Sequence, residues 1–125
     1  LEDTTIYSLA ETAAGTLLAG CRGRGLARSD DGGITWTTSN EGMDDVSVHC
    51  LLQRQAGDIL AGTGQGIRRS TDDARSWMPY ADELHGHRIF ALTTVDDVNV
   101  AAGSYTNVWI GTGERWRQVD PGLTP

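Results

Sequence analysis

The chain contains no lysine. Its ten cationic residues are all arginine, set against seventeen Asp and Glu, for a formal net charge of -7. That surplus, with a pI near 4.7, excludes a general binder of nucleic acid or of anionic lipid, because affinity for phosphate is built from positive charge. Cysteine is scarce as well: Cys21 and Cys50 are too few for a disulfide framework and lack companions at metal-ligand spacing. Cys50, in the apolar run VHCLL, is expected to pack as a small hydrophobe, and a Cys21–Cys50 bridge stays open. No apolar run approaches the roughly 20 residues of a membrane span. The opening LEDTTIYSLA has neither the basic start nor the apolar centre of a secretory signal, and it begins on Leu1, so the compartment is not legible. Apolar residues at helical spacing over a dozen positions are missing too, which leaves no helix of useful length.

What the chain does have is repetition. GTLLAG (Gly15–Gly20) returns as GDILAG (Gly57–Gly62) and more loosely before Gly103, so the closing glycines step by 42 and 41 residues. IYSLAE from Ile6, VHCLLQ from Val48 and IFALTT from Ile89 keep the same steps, and Trp36, Trp77 and Trp116 step by 41 and 39. Alternation and turn residues divide each unit into four short strands. The first unit reads Ile6–Glu11, Thr16–Cys21, Gly25–Ser29 and Thr35–Thr38. The second reads Val48–Arg54, Asp58–Thr63, Gly66–Ser70 and Ser76–Pro79; the third reads Ile89–Thr94, Val98–Gly103, Val108–Gly111 and Arg115–Val119. With 38% hydrophobic and 22% charged residues, the expectation is an all-β chain of three four-stranded antiparallel units, spanning 1–42, 43–83 and 84–125, each the size of a propeller blade.

Between the third and fourth strands the first two units carry SDDGGITW (Ser29–Trp36) and STDDARSW (Ser70–Trp77). Both read Ser-x-Asp-x-(Gly/Ala)-x-(Thr/Ser)-Trp, which resembles the Asp-box, or BNR repeat, of sialidases and related β-propellers. In GTGQGIRRSTDDARSW the chain is similar to the core repeat of the photosystem II assembly factor family and related bacterial proteins, and the likeness extends over all three units. Residue type suggests that Ser29 and Ser70, with Asp31 and Asp72, accept hydrogen bonds from turn N–H groups. Gly33 would supply a positive φ, Thr35 and Ser76 complete the pattern, and Trp36 and Trp77 pack beneath the turn. Ala74 stands where the first unit has Gly33, so the second turn is expected to be slightly rearranged. In the third unit a glycine turn around Gly113 replaces the box. The resemblance implies a structural role for Asp31 and Asp72, on the face opposite any active site. A calcium loop would need further acidic ligands that neither box supplies.

Function is then expected where the second-to-third turns and the inter-unit connections meet. That face should present Arg22, Arg24, Gln65 and Tyr105 from turns, and Asp44, Asp45, Asp82, Glu83, His85, His87 and Arg88 from connections. A sialidase would need an arginine cluster, a Tyr–Glu nucleophile and an acidic Asp. Arg22, Arg24, Arg88, Tyr80 and Tyr105 are the right types, but their spacing matches no sialidase motif. Paired carboxylates of a glycoside hydrolase could come only from Asp44, Asp45, Asp82 or Glu83. His85 and His87 form a His-x-His pair without an evident third ligand, so no metal or cofactor is expected. The leading expectation is a non-catalytic module for protein or ligand binding and assembly, with a protein or a carbohydrate as the ligand; the alternative is part of a BNR-type glycoside hydrolase, sialidase-like or glucanase-like. Arg68 and Arg69 precede the second box as Ala27 and Arg28 precede the first, and alternation expects one of each pair to face solvent.

Three units do not close a ring, since propellers close with roughly four to eight blades. An open flank of about 500 Å² would forfeit roughly 12 kcal/mol at about 25 cal/mol per Å², comparable with the whole stability of a domain, about 5 to 15 kcal/mol. The chain is therefore expected either to self-associate head to tail or to belong to a longer propeller.

Overall fold

The computed structural model describes residues 4–43, 46–96, 98–112 and 115–119, and within them all side chains but that of Asp82. Twelve strands run in order: β1 (Ile6–Glu11), β2 (Leu17–Cys21), β3 (Gly25–Ser29), β4 (Thr37–Thr38), β5 (Val48–Gln53), β6 (Ile59–Thr63), β7 (Gly66–Ser70), β8 (Met78–Tyr80), β9 (Ala91–Thr94), β10 (Val100–Gly103), β11 (Val108–Thr112) and β12 (Arg115–Val119). They form three four-stranded sheets, β1–β4, β5–β8 and β9–β12, each an antiparallel meander. Tight turns make such neighbour-to-neighbour pairing possible. Gly15 N–H bonds the Thr12 carbonyl at 2.9 Å, and Gly57 N–H bonds that of Arg54 at 3.0 Å. A single 3-10 turn, Asp82–Leu84, lies between the second and third sheets.

The main departures from the sequence expectation are at strand ends. β4 is only Thr37–Thr38 because Thr35 and Trp36 are used to close the preceding turn. β9 starts at Ala91 rather than Ile89, since Ile89 N–H bonds Thr63 of the neighbouring sheet at 2.9 Å.

The sheets stack flank to flank, with β1 beside β5 and β5 beside β9. Leu18 and Leu26 on the back of the first sheet meet Val48, Ile59, Ala61, Ala74 and Trp77 on the front of the second, with Met43 and Val46 filling the seam. Leu60 and Ile67 on the back of the second meet Ile89, Val100, Ala102 and Trp116 of the third. Each seam thus repeats one pattern. Its hydrophobic side chains supply the main stabilisation, at roughly 1.5–3 kcal/mol per large apolar side chain fully buried.

This stacking overturns the one-in, one-out reading of the Ala27–Arg28 and Arg68–Arg69 pairs. Ala27 and Arg28 are both buried, and Arg68 and Arg69 are both half-buried. A middle strand of a stacked sheet has a neighbour on each flank, so both of its faces are covered. The cysteines are free; Cys21 is buried at the front of the first sheet. Cys50 packs against the second seam, where burial pushes its thiol up to about 11.

Candidate functional site

The two Ser-x-Asp turns stand at one end of the stack. Gly33 N–H bonds Ser29 Oγ at 2.9 Å, Ser29 Oγ donates to Asp31 Oδ1 at 2.8 Å, and Thr35 N–H bonds the same oxygen at 2.8 Å. The second turn has the same network: Ala74 N–H to Ser70 Oγ at 2.9 Å, Ser70 Oγ to Asp72 Oδ1 at 2.8 Å and Ser76 N–H to Asp72 Oδ1 at 2.9 Å. Asp31 and Asp72 each titrate near 2. Hydrogen bonds from Thr35 hold Asp31 there; at Asp72 desolvation opposes the shift, and hydrogen bonds from Ser76 and Ser70 outweigh it. The second turn is not rearranged. Ala74 takes φ +68° where Gly33 has +94°, and its methyl group is buried in the seam, which offsets the backbone strain. The expected glycine turn around Gly113 lies outside the described residues.

The second turn also clasps the first sheet. Arg28 Nη2 bonds Asp73 Oδ2 at 2.9 Å, Arg28 Nε bonds the Asp73 carbonyl at 3.1 Å, and Thr16 Oγ1 donates to Asp73 Oδ2 at 2.6 Å. Ser39 Oγ bonds the Ala74 carbonyl. In the first turn the corresponding Gly33 carbonyl accepts Trp36 Nε1 at 3.0 Å, whereas Trp77 Nε1 is buried with no partner among the described residues. At this end Asp31 and Asp72 bond within their turns, and Asp73 joins two sheets.

At the other end, the connections between sheets run beside the second-to-third turns. Gly23 N–H bonds Ser47 Oγ at 2.7 Å and Gly64 N–H bonds the Ser47 carbonyl at 3.1 Å, tying two turns to one connection. Arg22, Arg24, Gln65, Glu83, His85, Arg88 and Tyr105 are exposed on these segments, and His87 is half-buried against the Trp109 ring, with centroids 5.2 Å apart. A hollow of about 280 Å³ brings His87, Arg88 and Tyr105 together with Ser104 and Asn107. Gln65 and His85 line a separate narrow crevice beside Arg68. Asp44 and Asp45 lie outside the described residues, as does the Asp82 side chain. Among the described residues no three His, Cys, Asp or Glu side chains are grouped to hold a metal ion.

Sequence reasoning missed the feature that organises this end. Tyr7, His49, Phe90 and Tyr105 form a continuous row of rings, with successive centroids 5.2, 4.7 and 4.7 Å apart and planes tilted by 37° to 60°. The first three occupy the same repeat position, one residue after Ile6, Val48 and Ile89. The ladder register shifts between Ile6 and Ser8 and between Val48 and Cys50, which makes Tyr7 and His49 the bulged residues of β1 and β5. A bulge releases one side chain from the front-back alternation of a strand. Burial and the nearby Arg88 cation lower the His49 pKa, favouring the neutral imidazole. The available signal was the recurring ring at the second position of IYSLAE, VHCLLQ and IFALTT.

No protein-family model matches the chain, and no curated protein matches it. Solved structures do. The chain superposes on the extracellular domain of BT3049 from B. thetaiotaomicron with a TM-score of 0.78 at 14% identity, covering 99% of this chain and 17% of that one. For YCF48 from Cyanidioschyzon merolae the values are 0.69 and 11%, covering 93% and 40%. For virginiamycin B lyase from Staphylococcus aureus they are 0.70 and 16%, covering 97% and 43%. The chain therefore spans less than half the length of each. These are propeller-type proteins, and at such identity the likeness shows the fold alone: three consecutive propeller blades that do not close into a ring.

Proposed function

We propose that the chain is a non-catalytic propeller module of the BNR, or Asp-box, type that binds a carbohydrate at the ring-bearing end of its blades. The observation that carries this reading is the row Tyr7–His49–Phe90–Tyr105, held by two β-bulges and bordered by Arg88. Exposed Tyr rings offer apolar faces for the C–H side of a pyranose, and Arg88, Ser104 and Asn107 can meet its hydroxyls.

A glycan array followed by calorimetry on the best ligand tests the proposal. Tyr7→Ala and Tyr105→Ala should each weaken binding by about tenfold, about 1.4 kcal/mol, while Asp72→Asn at the opposite end should not. Glycan turnover, or a ligand indifferent to both Tyr variants, would overturn it. A partner found only on a protein array and sensitive to the same variants would keep the site and change the ligand class.

A further inference from the structure

The repeat lets each blade serve as a control for the others. Ile6, Val48 and Ile89 are equivalent, yet Ile6 is 38% exposed and the other two 0%; Leu9, equivalent to half-buried Leu51, is 73% exposed. Among the described residues, the front of the first blade is a seam surface without its partner. On the back of the third blade, Ala91 and Thr93 are exposed where Cys50 and Leu52 pack into a seam.

The polar positions of the seam show what these two surfaces fit. In the first seam, Thr16 and Arg28 on the back of one blade bind Asp73 from the turn of the next. The positions equivalent to Thr16 and Arg28 are Asp58 and Arg69 in the second blade, and there the acid is supplied in the same blade: Arg69 Nε bonds Asp58 Oδ2 at 2.6 Å. In the third blade they are Asn99 and Ile110, both uncharged. The residue equivalent to Asp73 in the first blade's turn is Gly32, also uncharged. A third-blade back meeting a first-blade front would thus bury neither an Arg without its acid nor an acid without its Arg. An orphaned ion would make such a contact costly.

Among the described residues, a place for the incoming turn is open. Asn99, Ile110 and Thr112, equivalent to Thr16, Arg28 and Asp30, line a hollow of about 300 Å³ rimmed by Arg115 and Arg117. The turn that would enter carries Asp30 and Asp31 beside Gly32, opposite in sign to that rim. We infer that a second copy of this chain occupies it: the Gly32–Gly33 turn of each copy enters the Asn99–Ile110 hollow of the other. The same contact forms twice about a two-fold axis. Two copies bring six sheets, within the roughly four to eight that close a propeller. This inference does not depend on the glycan reading, which concerns the other end of the blades.

Light scattering after gel filtration tests it without any variant: the expected mass is twice 13.4 kDa. A mass of one copy throughout a concentration series would overturn it, and would assign the open flanks to further blades of a longer polypeptide instead. Charge then tests the contact itself. Ile110→Arg and Gly32→Asp should each weaken the dimer by at least about tenfold, since each puts an unpaired charge in the seam. Asp is compatible with the backbone at Gly32, because Asp73 holds the equivalent conformation at φ +59°. Mixing the two variants should restore a dimer. One of its seams then carries the introduced arginine of one copy beside the introduced aspartate of the other, as Arg28 meets Asp73, and the second seam is unaltered. Single variants that dimerise like the parent, or a mixture that stays monomeric, would overturn the assignment.

Discussion

Breaking the clasp between the first two blades should destabilise the whole stack. Arg28 is 8% exposed and spends three donors on two acids: Nη2 and Nε on Asp73, Nη1 on Asp30 at 2.8 Å. Asp73→Asn removes the charge but keeps an acceptor and tolerates the left-handed backbone there. Removing one partner of a fully buried ion pair costs about 3 to 5 kcal/mol. Here the Asp73 side chain is 22% exposed and Asp30 remains, so the expected loss is about 1 to 2 kcal/mol. Arg28→Met should lose a similar amount, and the double variant less than the two losses added, because a methionine makes no demand for an acid. The assay is urea unfolding of all four proteins by circular dichroism, at one protein concentration and with the associated mass recorded. A coupling energy of about 1 kcal/mol or more is expected. Additivity within about 0.3 kcal/mol would refute the clasp as a unit that joins blades.

Three further outcomes follow from the same geometry. Gly42 has φ +84°, and a Cβ there would overlap the Trp77 backbone carbonyl; Gly42→Ala should therefore lower the urea midpoint by the equivalent of at least about 2 kcal/mol. Ala74→Gly relieves left-handed strain of about 1 kcal/mol but removes a buried methyl group of about 0.8 kcal/mol, so its midpoint should stay within about 0.5 kcal/mol of the parent. Asp31 and Asp72 have folded values of about 2, below the ordinary 3.8. Their contribution is complete well above 3.8 and is lost as pH falls toward 2, so urea midpoints measured down that range should decline less in Asp72→Asn than in the parent.

How much of this was legible in the sequence varied with distance along the chain. The strands could be read because alternation and turn glycines act over a few residues, and three copies in one register reinforced each reading. The Ser-x-Asp turns could be read for the same reason, since Ser29, Asp31, Gly33 and Thr35 bond within four residues of one another. His87, Arg88 and Tyr105 could be placed on one end of the blades by topology, although the hollow that gathers them could not. The ring row escaped because Tyr7, His49 and Phe90 look like ordinary strand residues. A bulge leaves no local spelling, and it alone turned Tyr7 and His49 out of the alternation.

By itself the sequence determined the blade: four short strands, their turns and the count of three, all set by interactions within some 40 residues. Tertiary structure decided what lies between blades. Whether Asp73 serves its own turn or Arg28 of the neighbour, 45 residues away, depends on how two sheets stack, and no residue spacing records that. Stacking also made the middle strands two-sided, burying Ala27 and Arg28 together and leaving Ile6 exposed where its equivalents are sealed. The sequence specifies a surface for each flank; only the assembled seams reveal which flanks match.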